Sequence, residues 1–462
     1  MTLARVLNRA AIVLPTKMVH QVNLGRPSAM KTRAVIFNWV RLAGINVAVL
    51  LCSIATGIIT ARSIEVAMLG LLTIIQGVVR LLDGVIGLQS YGTLIKMGTS
   101  AIAEGRKQEF EGLVKASIFV EMGSQLVAFA VALLTFAFVG SWLGLTEEAS
   151  RWGLIYACGM VLHATGSSLA ILRIFDKFFL GTLGDVCGAI LRLLWTIGCA
   201  FFSARPFTFL MGWLGAELIA NLLTIGLAWH ELRKRSFGRI FNANAFGVIR
   251  QHREFWPTIV SANASATLRL TTEHGDVVLV GALFGATAAA YLRIAKTISA
   301  AVLQLAWPIH YVLGPTITRY WTSGKFNELY ALIRNTIAVS FILFVAAFVS
   351  FYFLGPTLII SFYGPNYASA AGVTTVYVFA YSLTIVGSTI APTIFAMGKP
   401  MYYTYIHLTC VVVFTLSVYL LLPHLGILST GIGHAIYQTM WLIIGYVVVF
   451  SAIARAKKIS TP

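Results

Sequence analysis

Twelve ionisable side chains lie five or more residues inside long apolar stretches of this chain, and they are where its chemistry must be sought. Six are cations: Arg41, Arg80, Arg192, Arg269, Arg293 and Lys296. Six are acids: Asp83, Glu121, Asp185, Glu217, Glu273 and Asp276. An ionisable group inside a membrane costs about 2.5–3.5 kcal/mol on insertion scales, so each needs a partner, a wet cavity or a function. Spacing offers partners to some of them. Arg80 and Asp83 are three apart, Arg269 and Glu273 four apart, and Asp185 and Arg192 seven apart, each pair on one helical face. Such pairs either neutralise each other and join helices, or they line a working site. Arg293 and Lys296 share a face, and Arg41 has no acid nearby in sequence. Guanidinium forks match the oxygens of a phosphate, and Lys adds a point charge. Arg41, Arg293 and Lys296 are therefore the leading candidates to meet an anion, with Arg269 and Arg80 behind them. Arg41 has a rival role, because it enters its apolar run only a few residues deep and can snorkel to the surface. Glu273 and Asp276 are candidates to bind a coupling ion, Na⁺ or H⁺; alternatively they balance Arg269 and Lys296.

The elements that position these residues are apolar runs of membrane-spanning length. Twelve are expected, at about 36–60, 64–88, 113–139, 152–172, 178–203, 207–229, 255–283, 288–315, 331–354, 372–397, 402–422 and 427–454. Each exceeds the roughly 17–20 residues that cross a bilayer as a helix. With the N-terminus in the cytoplasm, the inward connections, both tails and the inner span ends at Lys115 and Arg334 carry 25 of the 34 Lys and Arg, and the outward connections carry Arg62, Arg151 and Arg205. That bias fixes orientation by the positive-inside rule. The reading is an all-α polytopic membrane protein with twelve transmembrane helices and both termini cytoplasmic. Its segments are a basic N-terminal stretch 1–33, a first half 34–230, a basic linker 231–254, a second half 255–454 and a tail 455–462. Spans seven and eight form a hairpin turning near Gly285 and Ala286. Asp276 and Lys296 then lie at similar depth on its two arms and should approach each other.

Composition narrows the function. With 58% hydrophobic and 11% charged residues, an ordinary soluble enzyme is excluded. The net charge of +18 is mostly loop charge that sets topology and attracts anionic lipid, so nucleic acid is not an expected partner. All five cysteines fall within spans without CxxC spacing and read as packing residues. Asn263-Ala-Ser265 matches a glycosylation acceptor but lies inside a span. No phosphate-binding GxxxxGK[ST] loop, HExxH metal motif or Gly-x-Ser-x-Gly turn occurs. No cofactor and no enzymatic activity are expected. No outward connection is long enough to hold a catalytic domain. Trp256, Tyr291, Trp307, Tyr311, Tyr320 and Trp321 are interfacial anchors or contacts for sugar or lipid.

The halves look related. Gly166-Ser-Ser-Leu-Ala170, with Phe175 and Lys177 after it, matches Gly387-Ser-Thr-Ile-Ala391, with Phe395 and Lys399 after it. Each match falls in the fourth span of its half. Six spans is an even number, so the repeats share one orientation and are related by a pseudo-two-fold axis along the membrane normal.

The run Asp276-Val-Val-Leu-Val-Gly-Ala-Leu-Phe-Gly-Ala-Thr-Ala-Ala-Ala-Tyr291 resembles a signature of the polysaccharide-exporter, Wzx-type branch of the multidrug/oligosaccharidyl-lipid/polysaccharide (MOP) superfamily. So do Gly314-Pro-Thr-Ile-Thr-Arg319 with Gly324-Lys325, and in the first half Thr60-Ala-Arg-Ser63, Gly70 and Asp83-Gly-Val-Ile-Gly-Leu88. The resemblance covers about 35–450. It implies two six-helix lobes around a central cavity. It also implies an O-antigen or exopolysaccharide flippase of the bacterial inner membrane, moving polyprenyl-pyrophosphate-linked oligosaccharide. The anion expected at Arg41, Arg293 and Lys296 is then the pyrophosphate headgroup, and a polysaccharide polymerase and other assembly proteins are expected partners. Two alternatives stand beside it: an ion-coupled drug/cation antiporter of the same fold, and a non-transporting scaffold of a polysaccharide synthase complex. An acidic cavity would favour the first, and a plugged cavity the second.

Overall fold

The structure is a computed structural model. It describes the backbone of residues 29–460 except 239, 305 and 306, and the side chains from residue 44 onward except 239, 265, 305–312 and 459–460. Most of the expected N-terminal stretch 1–33 thus lies outside the described residues, as does the side chain of Arg41. Met1–Gly44 and Ile45–Pro462 form separate units, and the second contains the packed core.

Sixteen α-helices are described: α1 (Ala29–Ser63), α2 (Val66–Ile86), α3 (Tyr91–Ala103), α4 (Lys107–Leu134), α5 (Glu147–Ala157), α6 (Gly166–Ile174), α7 (Phe178–Phe201), α8 (Pro206–Lys234), α9 (Ala245–Gln251), α10 (Phe255–Gln304), α11 (Trp307–Thr322), α12 (Phe326–Tyr363), α13 (Ala370–Val386), α14 (Ile390–Ala396), α15 (Pro400–Leu425) and α16 (Leu428–Ser460). Among the described residues there is no strand. Among the described residues, eleven helical segments are long and apolar enough to cross a membrane. One of them, α10, is two spans. Gly285 adopts φ 78° and ψ −178°, a conformation open to glycine, and the chain reverses there. Asp276 and Lys296 show the reversal: they touch, whereas on a straight helix they would stand about 30 Å apart. Dividing α10 at this turn gives the twelve expected spans, with the hairpin where the sequence places it.

Two spans expected to be continuous are broken. Span four stops at Ala157, passes through a 3₁₀ turn at Cys158–Leu162 and restarts as α6 at Gly166. Span ten stops at Val386 and restarts as α14 at Ile390. Both restarts fall at the repeated Gly-Ser motif, so the repeat is a matching break in the fourth span of each half. Pro392 sits in the first turn of α14, where a missing backbone donor costs nothing.

The first break is held by Glu121 of α4, which is buried. Its Oε2 accepts from the backbone N–H of Ser167 at 2.9 Å, and its Oε1 accepts from the N–H and hydroxyl of Ser90 at 2.9 and 2.5 Å. One carboxylate therefore caps the starts of both α6 and α3, where orphan N–H groups favour negative charge.

The two halves meet along α2 and the α10 hairpin, mainly its first arm and the turn. Gly70, Gly77 and Gly84 recur every seven residues on one face of α2. A Cβ on Gly70 would lie 1.6 Å from the Ala286 carbonyl oxygen, and Cβ atoms on Gly77 and Gly84 would strike Val277 and Leu270 at 2.9 and 2.8 Å. Only glycine permits so close an approach, the means by which membrane helices gain packing contact. Below the seam, the Asn263 side chain makes two bonds with the Gln89 backbone, accepting from its N–H at 2.8 Å and donating to its carbonyl at 2.9 Å. The residue of the glycosylation match is thus a clamp between helices.

Candidate functional site

Beside the glycine seam, α2 carries Thr73, Gln76, Arg80 and Asp83 at spacings of three, four and three, one polar stripe along the helix. Around it other helices assemble a network. The Arg80 guanidinium donates to Glu217 of α8 at 2.5 Å. Glu217 also accepts from the Tyr156 hydroxyl of α5 at 3.2 Å and faces His163 Nε2 at 3.3 Å. The other ring nitrogen of His163 lies 3.4 Å from Asp83, which accepts from Gln125 of α4 at 2.6 Å. His163 thus bridges two carboxylates in the gap between the halves of span four.

This network corrects two expected pairs. Arg80 goes to Glu217 across the helices, not to Asp83 on its own face, because His163 and Gln125 hold Asp83. Asp185 and Arg192 do not pair: seven residues of helix is about 10 Å of rise, beyond the reach of a direct contact. Arg192 of α7 lies instead over the ring of Trp213 at 4.5 Å, with its Nε buried and without a hydrogen bond.

Arg293, on the second arm of α10, reaches the same place from the other half. Its guanidinium donates to the Thr73 hydroxyl at 3.3 Å and the Gln76 amide oxygen at 3.1 Å, and lies 4.9 Å from the centre of the Trp213 ring. Trp213 is fully buried and anchored by its indole N–H on Thr196 at 3.0 Å. Two guanidinium groups from opposite halves therefore converge on one indole, each within cation–π range. Neither has a carboxylate partner among the described residues. Here three guanidinium groups face two carboxylates.

The second half has its own network, and it brings the expected pair together. Lys296 Nζ lies 2.5 Å from Asp276 and also donates to the Glu273 carbonyl. The remaining Asp276 oxygen accepts from the Tyr377 hydroxyl at 2.7 Å and faces His434 Nε2 at 3.2 Å. Asp276 is fully enclosed, and both of its oxygens are engaged. Arg269 pairs with Glu273 at 3.0 Å as its spacing suggested, with both side chains partly exposed. Lys296 also lines a cavity of about 400 Å³ with Asn46, Ser53, Thr297 and Gln304, bounded by Val49, Leu50 and Ala300. The cavity lies between α1 and the second arm of α10.

Of the sequence-derived candidates, Arg80 and Arg293 share the first network, and Arg269, Glu273, Asp276 and Lys296 share the second. The sequence did not single out Trp213, Tyr156, His163, Gln76, Tyr377 or His434 for a site. The one legible signal was Thr73 and Gln76 in register with Arg80.

No family model matches the chain. Inner membrane protein YghQ of Escherichia coli (strain K12) is 24% identical over 306 residues, which is 65% of this chain and 86% of that protein. An inward-facing multidrug resistance MATE family transporter of the MOP superfamily has a TM-score of 0.69 at 14% identity, covering 91% of this chain and 100% of that one. The lipid II flippase MurJ in an inward closed conformation has a TM-score of 0.53 at 16% identity, covering 88% and 90%. The chain shares the fold of these solved structures, twelve spans in two halves of six.

Proposed function

We propose that this chain is a flippase of the bacterial inner membrane, with both termini cytoplasmic. It moves a polyprenyl-pyrophosphate-linked oligosaccharide outward by alternating access, for polysaccharide assembly. Residues 34–230 and 255–454 are the two working lobes, and 231–254 joins them. The likeness to MurJ supports a lipid-linked substrate, and the likeness to YghQ supports the inner membrane. The observation that carries the reading is the pair Arg192 and Arg293 on Trp213. Two guanidinium groups kept in the membrane with no carboxylate in contact are costly unless an anion visits them. They come from the two lobes, so a headgroup between them senses the relative position of both.

A drug/cation antiporter needs carboxylates free to meet a cation, but Asp83, Glu217 and Asp276 are each engaged by a basic side chain. A cation at Asp276 would have to displace Lys296, so Glu273 is the better coupling candidate of the two. A plugged scaffold is disfavoured by the polar cavity beside Lys296.

Equilibrium binding tests the reading. A polyprenyl pyrophosphate should bind at least about tenfold more tightly than the matching neutral polyprenol, and Arg192→Gln with Arg293→Gln should remove the difference. Equal affinity of the wild-type protein for both lipids would refute it.

A further inference from the structure

Away from the central site, a second cavity of about 280 Å³ opens on the face that carries the basic connections. It is lined by Lys96, Met97, Ser100 and Arg106 around α3, and by Gln251, His252, Arg253 and Glu254 between α9 and α10. Its walls are firmly placed. The linker is strapped to the first lobe by Lys115, which donates to the carbonyls of Phe241 and Ala243 at 2.6 and 3.0 Å. Val248 of α9 lies so close to α4 that a Cβ on Gly112 would meet it at 2.5 Å. Beneath the cavity, Leu94, Met97, Phe110, Val248 and Phe255 share one apolar cluster. The site is therefore built before any ligand arrives.

Its charges are unevenly committed. Arg106 is occupied by Glu104 and Glu109, and His252 Nε2 lies 2.9 Å from Glu109. Arg253 is exposed and has no carboxylate partner among the described residues. Lys96 meets Glu254 at 2.9 Å, but both side chains are more than half exposed. A pair so solvated is weakly held and exchanges readily. Lys96 also holds the Glu254 carboxyl below the usual carboxylate range, so it is ionised at neutral pH. The linker exposes Phe241 and Phe246, and α10 exposes Trp256 at its start; exposed aromatic rings favour the headgroup region of a membrane.

We propose that this cavity is a phosphoryl-anion site filled by the headgroup of an anionic phospholipid, with Lys96 and Arg253 as its cationic contacts and Glu254 as the carboxylate it displaces. The Ser100 hydroxyl, which lines the same cavity, is a further donor. A headgroup there bridges α3 of the first lobe to the residues that enter α10 of the second, so bound lipid stiffens the connection between lobes. The site does not depend on what the central cavity carries.

The test is a titration of purified protein in neutral detergent, following the unfolding temperature, which rises when a ligand binds the folded state. Short-chain phosphatidylglycerol, phosphatidylcholine with the same chains, and inorganic phosphate are the three probes. Phosphatidylglycerol should raise the unfolding temperature saturably and phosphatidylcholine should not. Lys96→Gln with Arg253→Gln should raise the half-saturating concentration at least about tenfold. Glu254→Gln should lower it severalfold, and Lys325→Gln, a cation at the start of α12, should leave it unchanged. Equal effects of the two lipids, or a double variant that titrates like wild type, would overturn the site. Inorganic phosphate acting at the same concentration as phosphatidylglycerol would overturn the lipid assignment.

Discussion

Arg192 and Arg293 lie against one aromatic ring inside the membrane with no carboxylate in contact among the described residues. Replacing either by Gln keeps much of the shape and removes the charge. Each single change should cut transport of a lipid-linked anion at least about tenfold while moving the unfolding temperature little, since it removes a desolvated charge and little packing. Arg293→Lys should recover part of the loss, having charge without the fork. Asp276 is the opposite case. Asp276→Asn leaves Lys296 without a carboxylate partner and should destabilise the protein by about 3–5 kcal/mol, whereas adding Lys296→Met should restore most of it. Chemical unfolding of the two variants checks this, and equal stability of both would count against a structural ion pair. Arg293 stood out in the sequence because no acid lay near it, and Asp276 with Lys296 because the hairpin set their depth. Arg192 was misread because face and distance are separate conditions: Asp185 satisfies the first and fails the second. Trp213, Tyr156 and His163 gave no signal, since such residues are ordinary in membrane helices until packing brings α5 and α8 onto α2.

Among the elements, α2 and α10 were the most legible. Apolar length defined them, and the turn at Gly285 followed from small residues between two spans. The glycines of the family-like motifs have a physical reason here, because Gly70 and Gly84 let α2 lie close against α10. The breaks in spans four and ten were not legible from hydropathy, which does not distinguish a continuous helix from two short ones. What marks the first break is Glu121, an acid deep in α4 that looked like an unpartnered charge and is a cap for two helices. Glu121→Ala should therefore lower stability by about 1–3 kcal/mol for each donor left unsatisfied. Hydrogen exchange should rise first at the starts of α3 and α6. Uniform exchange across α4 instead would show that the carboxylate does not hold the break.

At the scale of the whole molecule, the seam between α2 and α10 and the cavity between α1 and α10 involve different arms of the α10 hairpin. In the proposed cycle the seam persists while the cavity side opens to admit a lipid tail. A Cβ on Gly77 would lie 3.4 Å from that of Val277, near the roughly 3.5–4.5 Å of a disulfide. Gly77→Cys with Val277→Cys should cross-link and leave transport largely intact, while Val49→Cys with Ala300→Cys, across the cavity, should block it until reduced. In that cycle a membrane potential would supply the driving force without a second ligand. A headgroup of about two negative charges gains roughly 4–5 kcal/mol per 100 mV on leaving an inside-negative compartment. The central claim is that the converging arginines pass an anionic lipid headgroup across the membrane. It is tested most directly in sealed proteoliposomes with an inside-negative potential, by following how fast a fluorescent polyprenyl-pyrophosphate oligosaccharide becomes accessible outside. Fast appearance is expected with wild type, slower appearance when the potential is collapsed, and almost none with Arg192→Gln and Arg293→Gln together. Appearance at the wild-type rate with both arginines replaced would contradict the claim.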